Sequence, residues 1–378
     1  MTALSAALAF GALVLFTWSY ACYPAFIARR AVGAGMPPAT APPSGAVEVI
    51  VSAADEESVI GARIANLLAQ EGVPGLAVTV GCDGCRDATA GAARAAGGGR
   101  ARVVEFSQRR GKASVLNDLV RDSSADVLVF TDANTLFEPG ALRTLVGALG
   151  DPEVGAACGR LLFETAPGAR PTPESAYWDR ESRLKEAEGA LGVCLGANGA
   201  IYAARRELVL PLPEDTTSMD DFLIPVRVAK AGRRVVFVGG AIAREDAARD
   251  VAAEVSRRFR IGIGGGQVLR REGWLYAAPR HPLLTLAFLS RKAARWLAPV
   301  LALAAAASAL FAPGLRPAGI AALAVSALLL AVARARPHVR GPLGRLYYFA
   351  VLNVALALGV VAGLAGYARP VWTRTARS

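Results

Sequence analysis

From Gly273 to the end of the chain there is no Asp and no Glu, while Lys and Arg together occur 12 times. The first 272 residues therefore hold 30 of the 42 basic residues against all 31 acidic ones, close to neutral, although the whole chain carries +11. These basic side chains stand between apolar runs, without interleaved aromatics or a nucleic-acid motif. That pattern favours a membrane surface over nucleic acid as the partner. The C-terminal apolar runs lack acidic groups, which argues against an ion-coupled transporter, because such pathways use ionisable side chains inside the membrane. Histidine is scarce as well. His281 and His338 lie far from Cys82-Asp-Gly-Cys85, and the 5 cysteines offer no second Cys-x-x-Cys, so a zinc site is not indicated and nothing requires an oxidising compartment. No repeat of solenoid length occurs.

What is abundant is apolar surface. The 378 residues are 53% hydrophobic with a mean hydropathy of +0.37, more than a plain soluble enzyme needs. No charged side chain precedes Arg29, and Leu4 to Tyr20 is long enough for a spanning helix. A cleaved signal peptide would carry a positive n-region, which is missing here, so residues 1–28 read as an uncleaved anchor. Arg29 and Arg30 place its C-terminal end in the cytoplasm. Residues 29–46 form a linker that includes the Pro-rich MPPATAPPSG. Near the other end, residues 250–292 read as an amphipathic, interfacial segment. Residues 293–378 hold three expected spans, Trp296–Phe311, Ala318–Ala333 and Leu346–Tyr367. Asn353 is their one strongly polar side chain, and a helix–helix hydrogen bond accounts for it.

Residues 47–249 change character. Short β-branched runs alternate with helical patterns, which predicts an α/β domain with a parallel sheet. Strands are expected at Val47–Ala53, Ala77–Gly81, Ala101–Phe106, Val127–Phe130, Val154–Phe163, Gly196–Ala203 and Arg233–Val238. Helices are expected at Glu57–Glu71, Asp87–Ala96, Lys112–Arg121, Ser175–Glu188 and Asp220–Ala231. The run ADVLVFTDANTLF (125–137) puts Asp132-Ala-Asn134 at the carboxyl end of a buried strand, where open α/β sheets bind ligands. An acidic group there can hold a divalent cation and through it a diphosphate.

Several stretches, in order, resemble the membrane-anchored family 2 glycosyltransferases, the group containing chitooligosaccharide, cellulose and hyaluronan synthases. VIVSAADEES (49–58) resembles their strand entering Pro-x-Tyr-Asn-Glu-Glu, with Asp55, Glu56 and Glu57 at the acidic end. VGCDGCRDAT (80–89) resembles Ser-Asp-Gly-Ser-Thr-Asp, with both cysteines on serine positions. RRGKASVLN (109–117) resembles Gly-Lys-x-x-x-Leu-Asn, and TDAN (131–134) stands for Asp-x-Asp with Asn134 in place of the second carboxylate. LGANGAIYAARREL (195–208) is close to Gly-x-Gly-Ala-x-Tyr-Ala-x-Arg-Arg-Glu-Leu. MDDFLIPVRVAKAGRRVVF (219–237) resembles an acidic pair opening a helix that bears an Arg, here Arg227. RRFRIGIGG (257–265) stands where processive synthases have Gln-x-x-Arg-Trp-x-x-Gly, with Arg257 and Ile261 replacing the Gln and Trp.

The resemblance implies a GT-A, Rossmann-like nucleotide-sugar domain followed by transmembrane helices. It also implies an inverting transferase, of hexosyl or N-acetylhexosaminyl type, that uses a nucleoside diphosphate sugar, most often a UDP-sugar. Asp221 would be the catalytic base. Asp55, Glu57, Asp83, Lys112, Asp132 and Arg260 would bind the nucleotide sugar, with Asp83 accepting from the base or ribose. Gly196, Asn198, Gly199 and Ala200 would bind the acceptor, and Asp132 with Asn134 would hold Mg²⁺ or Mn²⁺. A lipid-linked or glycan acceptor and a multi-pass plasma-membrane protein with a cytoplasmic catalytic domain are implied, with room for other envelope-assembly proteins. A nucleotide-sugar-binding scaffold with weakened catalysis is the competing expectation, since the Pro-x-Tyr-Asn and the second metal carboxylate are lost.

Overall fold

In the computed structural model, residues 1–34, 45–164, 173–246, 251–335 and 341–369 are described. Most of the Pro-rich linker (36–45), residues 336–340 and the residues from Pro370 on lie outside them. The chain divides into a sheet unit, residues 27–247, and a helical unit, residues 1–26 with 248–369.

The chain opens with α1 (Thr2–Thr17), a π-helical turn (Trp18–Cys22) and α2 (Tyr23–Ala31). The sheet unit then runs through β1 (Val47–Ala53), α3 (Glu57–Leu68), β2 (Ala77–Asp83), α4 (Thr89–Gly97), β3 (Ala101–Phe106), α5 (Lys112–Arg121), β4 (Val127–Asp132), β5 (Leu136–Phe137), α6 (Ala141–Gly147), β6 (Val154–Glu164), α7 (Pro173–Ala190), β7 (Tyr202–Arg205), α8 (Asp220–Lys230) and β8 (Arg234–Asp246). All seven residues of β1 are buried, as befits a strand covered on both faces. Its Val47, Val49 and Val51 pack in one core with Ile60, Ile64 and Leu67 of α3. Even the acid in β1 is satisfied: Glu48 accepts from Thr79 Oγ1 at 2.5 Å and from the Ser123 hydroxyl.

Strand order is β3-β2-β1-β4-β7-β6-β8-β5. The expectation of a parallel sheet holds for β3-β2-β1-β4 and for β6 beside β8, but β7 runs antiparallel to both β4 and β6, and β5 antiparallel to β8. Local alternation of strand and helix carries no information about a strand inserted from elsewhere in the chain. The insertion matters for chemistry. Because β7 is antiparallel and pairs Tyr202 with Phe130, the residues just before β7 lie at the carboxyl end of β4, beside Asp132. Parallel pairing of Ser52 with Asp132, and of Ala53 with Cys82, brings the ends of β1 and β2 to the same edge.

The helical unit adds α9 (Val251–Arg271), α10 (Pro282–Ala287), α11 (Ala294–Ala309), α12 (Arg316–Ala335) and α13 (Gly341–Leu364). Among the described residues, three helices are long and apolar enough to cross a membrane: Thr2–Ala31, Arg316–Ala333 and Leu346–Leu364. The span expected at Trp296–Phe311 forms α11, which is not among these three. It continues a helical run from Pro282 that carries Arg291, Lys292 and Arg295. The stretch expected to be interfacial forms α9, and its small-residue face is taken by α13. Gly262 and Gly266 meet Gly359 and Gly363, where a side chain on Gly363 would overlap the carbonyl of Ile263. Asn353 donates to the carbonyl of Phe349 at 2.8 Å, one turn back in its own helix, and not to a neighbouring helix as expected.

Candidate active site

Asp132 ends β4, and Lys112 opens α5. Their side chains meet, with Lys112 Nζ 2.9 Å from Asp132 Oδ1 and 3.1 Å from Asp220 Oδ2. Burial alone lowers the Lys112 pKa. The carboxylates of Asp132, Asp220 and Asp221 outweigh it and hold the ammonium above the ordinary lysine range. Asp220, the first residue of α8, is buried and also accepts from Tyr202 OH at 3.1 Å. Burial, with Asp220 and Asp221 close by, raises the Tyr202 phenol far above its usual value. The ring of Tyr202 stacks on Phe130, centroids 4.8 Å apart.

Burial alternates after β4. Ala133 and Thr135 are buried while Asp132 and Asn134 are half-buried, so neither of the two expected metal ligands is closed off from solvent. One carboxylate and one amide oxygen are hard donors suited to Mg²⁺ or Mn²⁺, with diphosphate oxygens and water left to complete the shell. The residue types present fit such an ion, with Asp132 Oδ1 already bonded to Lys112.

Across from Asp132 stands the loop before β7. A Cβ built on Gly199 would lie 3.4 Å from Asp132 Oδ2 and 3.9 Å from Asp221 Oδ2. Gly199 thus lies close to both the expected metal ligand and the expected base. Of the four residues expected to bind the acceptor, it is the one that is not buried. Asn198 is 1% exposed, accepts from Lys185 and donates to Gly159 O at 2.8 Å, so its amide holds the loop. Ala200 is buried, and its carbonyl accepts from Thr131 Oγ1 at 2.6 Å. Gly196 packs against Phe222. The loop is held further by Lys185 donating to Ala197 O at 2.7 Å, by Leu195 N donating to Glu188 Oε2 at 3.1 Å, and by Ala197 N donating to Asp221 O at 2.6 Å.

At the ends of β1 and β2, Asp83 is fully buried, and its oxygens accept from the backbone N–H of Arg110 (2.7 Å) and Gly111 (2.8 Å). Its expected contact is with the base or ribose; here it clamps the loop that delivers Lys112. Two glycines make the clamp possible. Gly84 has φ +55, and a side chain there would overlap Arg109 N, while Gly111 has φ +97 at the start of α5. Asp55 accepts from Arg86 N at 2.8 Å and pairs with Arg109 at 2.6 Å; the first of these bonds, then Arg109, holds its carboxyl below the usual range. Glu57 Oε2 accepts from Ala88 N at 3.2 Å. Among the described residues, Asp55, Cys85 and Asp87 are spaced as a metal site would be, but both Asp55 oxygens are already engaged. Cys85 donates to Ala53 O at 3.6 Å, and all 5 cysteines are free. Arg260 belongs to the helical unit, 8% exposed, so its place in the site rests on the motif alone.

Residues the sequence did not single out complete the arrangement. Asp220 was visible only as a helix-opening partner of Asp221, and Tyr202 only as part of a motif. Lys185 and Glu188 looked like ordinary polar positions of α7. Arg63 left one signal: a charge set within the apolar stripe of Ile60, Ile64 and Leu67.

Known proteins resemble this chain in sequence and in fold. An N-acetylglucosaminyltransferase of Azorhizobium caulinodans is 25% identical over 227 residues, 56% of this chain and 57% of that protein. A succinoglycan biosynthesis protein of Rhizobium meliloti is 35% identical over 100 residues, 26% of this chain and 29% of that one. The chain thus spans little more than half of the first relative and under a third of the second. The solved structure of a mannosyltransferase from Pyrobaculum calidifontis, in complex with GDP-Man and Mn²⁺, superposes with a TM-score of 0.65 at 24% identity, covering 94% of this chain and 99% of that one. The fold is therefore GT-A, a mixed α/β sheet with apolar helices added. Residues 42–264, more than half of the chain, match the family described as glycosyltransferase like family 2, and the chain belongs to that family.

Proposed function

We propose that this chain is an inverting transferase that moves a hexosyl or N-acetylhexosaminyl group from a nucleoside diphosphate sugar, a UDP-sugar first, to a membrane-associated glycan or lipid-linked acceptor. One observation carries the reading: Gly199, without a side chain, lies close to the carboxylates of both Asp132 and Asp221, with Lys112 bonded to Asp132. A sugar placed against this glycine is within reach of both the base and the diphosphate site.

Asp221 takes the proton of the acceptor hydroxyl. The freed oxygen attacks the anomeric carbon, the bond from that carbon to the diphosphate breaks, and the nucleoside diphosphate leaves. Lys112 adds positive charge to the departing diphosphate from a position already set by Asp132 and Asp220. A divalent cation held by Asp132 and Asn134 supplies further charge stabilisation when bound. Asp83 does not need to touch the nucleotide; it holds the turn before Lys112.

The apolar helices support a plasma-membrane protein, with the sheet unit on the cytoplasmic side, where Arg29 and Arg30 form the last turn of the first long apolar helix. Transfer of one or a few sugars fits the chain better than polymer export, because Ile261 offers no flat face for a sugar ring where processive synthases carry Trp. Membranes containing the chain, given labelled nucleotide sugars, Mn²⁺ and lipid-linked acceptors, should yield short products. Nucleotide-sugar binding without turnover on any donor would favour the scaffold instead.

A further inference from the structure

Arg63 of α3 is fully buried, yet no carboxylate stands within ion-pair distance of it among the described residues. Its guanidinium is held by neutral groups. NH1 donates to Asn66 Oδ1 at 2.8 Å, NH2 donates to Thr131 Oγ1 at 2.7 Å, and Cζ lies 4.1 Å from the centre of the Phe137 ring. Asn66 is fixed in turn by both backbone groups of Phe137: it accepts from Phe137 N at 2.8 Å and donates to Phe137 O at 2.9 Å. Burial lowers the Arg63 pKa to about 9, and the charges of Asp132 and Glu245 work against that fall, so the group stays cationic at neutral pH. A buried cation of this kind is expensive and calls for a reason.

The reason lies in Thr131. A hydroxyl has one proton to donate. Because Arg63 donates to its oxygen, the Thr131 proton is directed onward to Ala200 O, 2.6 Å away. Thr131 immediately precedes Asp132, and Ala200 immediately follows Gly199. The chain of bonds from Arg63 through Thr131 to Ala200 therefore ties the metal-ligand end of β4 to the loop that faces the acceptor. Lysine could not replace it, since two separate nitrogens of a planar fork are used, one on Asn66 and one on Thr131, while the plane lies on Phe137.

We propose that Arg63 is a positioning residue for sugar transfer, fixing through Thr131 the separation between Asp132 and Gly199 and hence between donor and acceptor. This rests on the transferase reading above. Misplacement by about 1 Å can cost on the order of 10²-fold in rate. In the full-length protein with donor, Mn²⁺ and acceptor, Arg63→Lys and Thr131→Val should each lower kcat by about 10- to 100-fold while the donor KM stays near that of the unaltered chain. Thr131→Ser, which keeps the hydroxyl, should restore most of it. The double variant should be no slower than the slower single one, because both cut the same path. Losses that multiply, or that appear in donor KM, would overturn the proposal.

A second readout does not need turnover. Ala197 N donates to Asp221 O of α8, and Ile201 N donates to Asn198 O within the loop. Thr131→Val should speed hydrogen exchange at residues 196–201 and leave residues 57–68 unchanged. If the unaltered chain transfers no sugar but this shift appears, the transferase reading fails and the tie stands. If transfer proceeds and neither kcat nor exchange responds, the tie has no role.

Discussion

Lys112 Nζ lies 2.9 Å from Oδ1 of Asp132, joining the first residue of one helix to the last residue of a strand 20 positions on. The same ammonium reaches Asp220, so one cation serves two carboxylates from different parts of the chain. Lys112→Met should therefore weaken nucleoside diphosphate binding by about 10- to 100-fold, the worth of a charge-assisted hydrogen bond. Isothermal titration with the diphosphate measures it. Unchanged affinity would place the diphosphate elsewhere.

Asp220 and Asp221 are adjacent but not equivalent. Asp221→Asn should reduce transfer by about 10²- to 10⁴-fold and leave donor binding nearly intact, as loss of a general base does. Asp220→Asn removes a partner of both Lys112 and Tyr202 from a buried position, so it should lower the melting temperature as well as activity. Normal turnover in Asp221→Asn refutes the assignment of the base.

Asn134, like Asp132, is half-buried. Asn134→Asp should tighten Mn²⁺ binding, because a carboxylate replaces a neutral amide ligand. Titration of Mn²⁺ by its electron paramagnetic resonance signal gives the comparison. Equal affinity in the two proteins would remove Asn134 from the metal site.

Gly199→Ala tests the space beside the two carboxylates. The added carbon meets nothing closer than 3.4 Å, so thermal stability should hardly change. It fills the position assigned to the sugar, so transfer should fall at least ~10-fold, the scale on which a reacting group is displaced. Full activity would move the sugar away from this glycine.

The glycine seam between α9 and α13 should be intolerant of added atoms. Gly363→Ala drives a methyl into the carbonyl of Ile263 and should destabilise by about 1–3 kcal/mol, the usual cost of overpacking. Gly273→Ala, where nothing lies within 4 Å, serves as the comparison in a thermal melt.

Much of this protein is written locally. The extents of β1 and α5 agree with their expected ranges to the residue, because an unbroken apolar run and a helix start after Gly111 are properties of neighbours in sequence. Asp132 at the end of a buried strand was legible for the same reason, and so were the three long apolar helices. What depends on partners far along the chain was not. Strand β8 runs to Asp246 instead of ending at Val238, since its second half pairs with β5 and the end of β6. The reversed strand β7 brings Gly199 to Asp132, and no local pattern encodes a register between residues about 70 positions apart. A motif names residue types without saying which way each faces. Asp83 and Asn198 stand where the motif puts polar groups, yet their hydrogen bonds go to backbone and to Lys185, while Asp132, Asn134 and Gly199 stay accessible. Sequence by itself determined most of the strands and helices and the chemistry available at their ends, though not β5 or the place of β7, expected at Gly196–Ala203 and found at Tyr202–Arg205. Tertiary structure alone decided which of those groups face one another, because hydrogen bonds and burial are set by proximity in space.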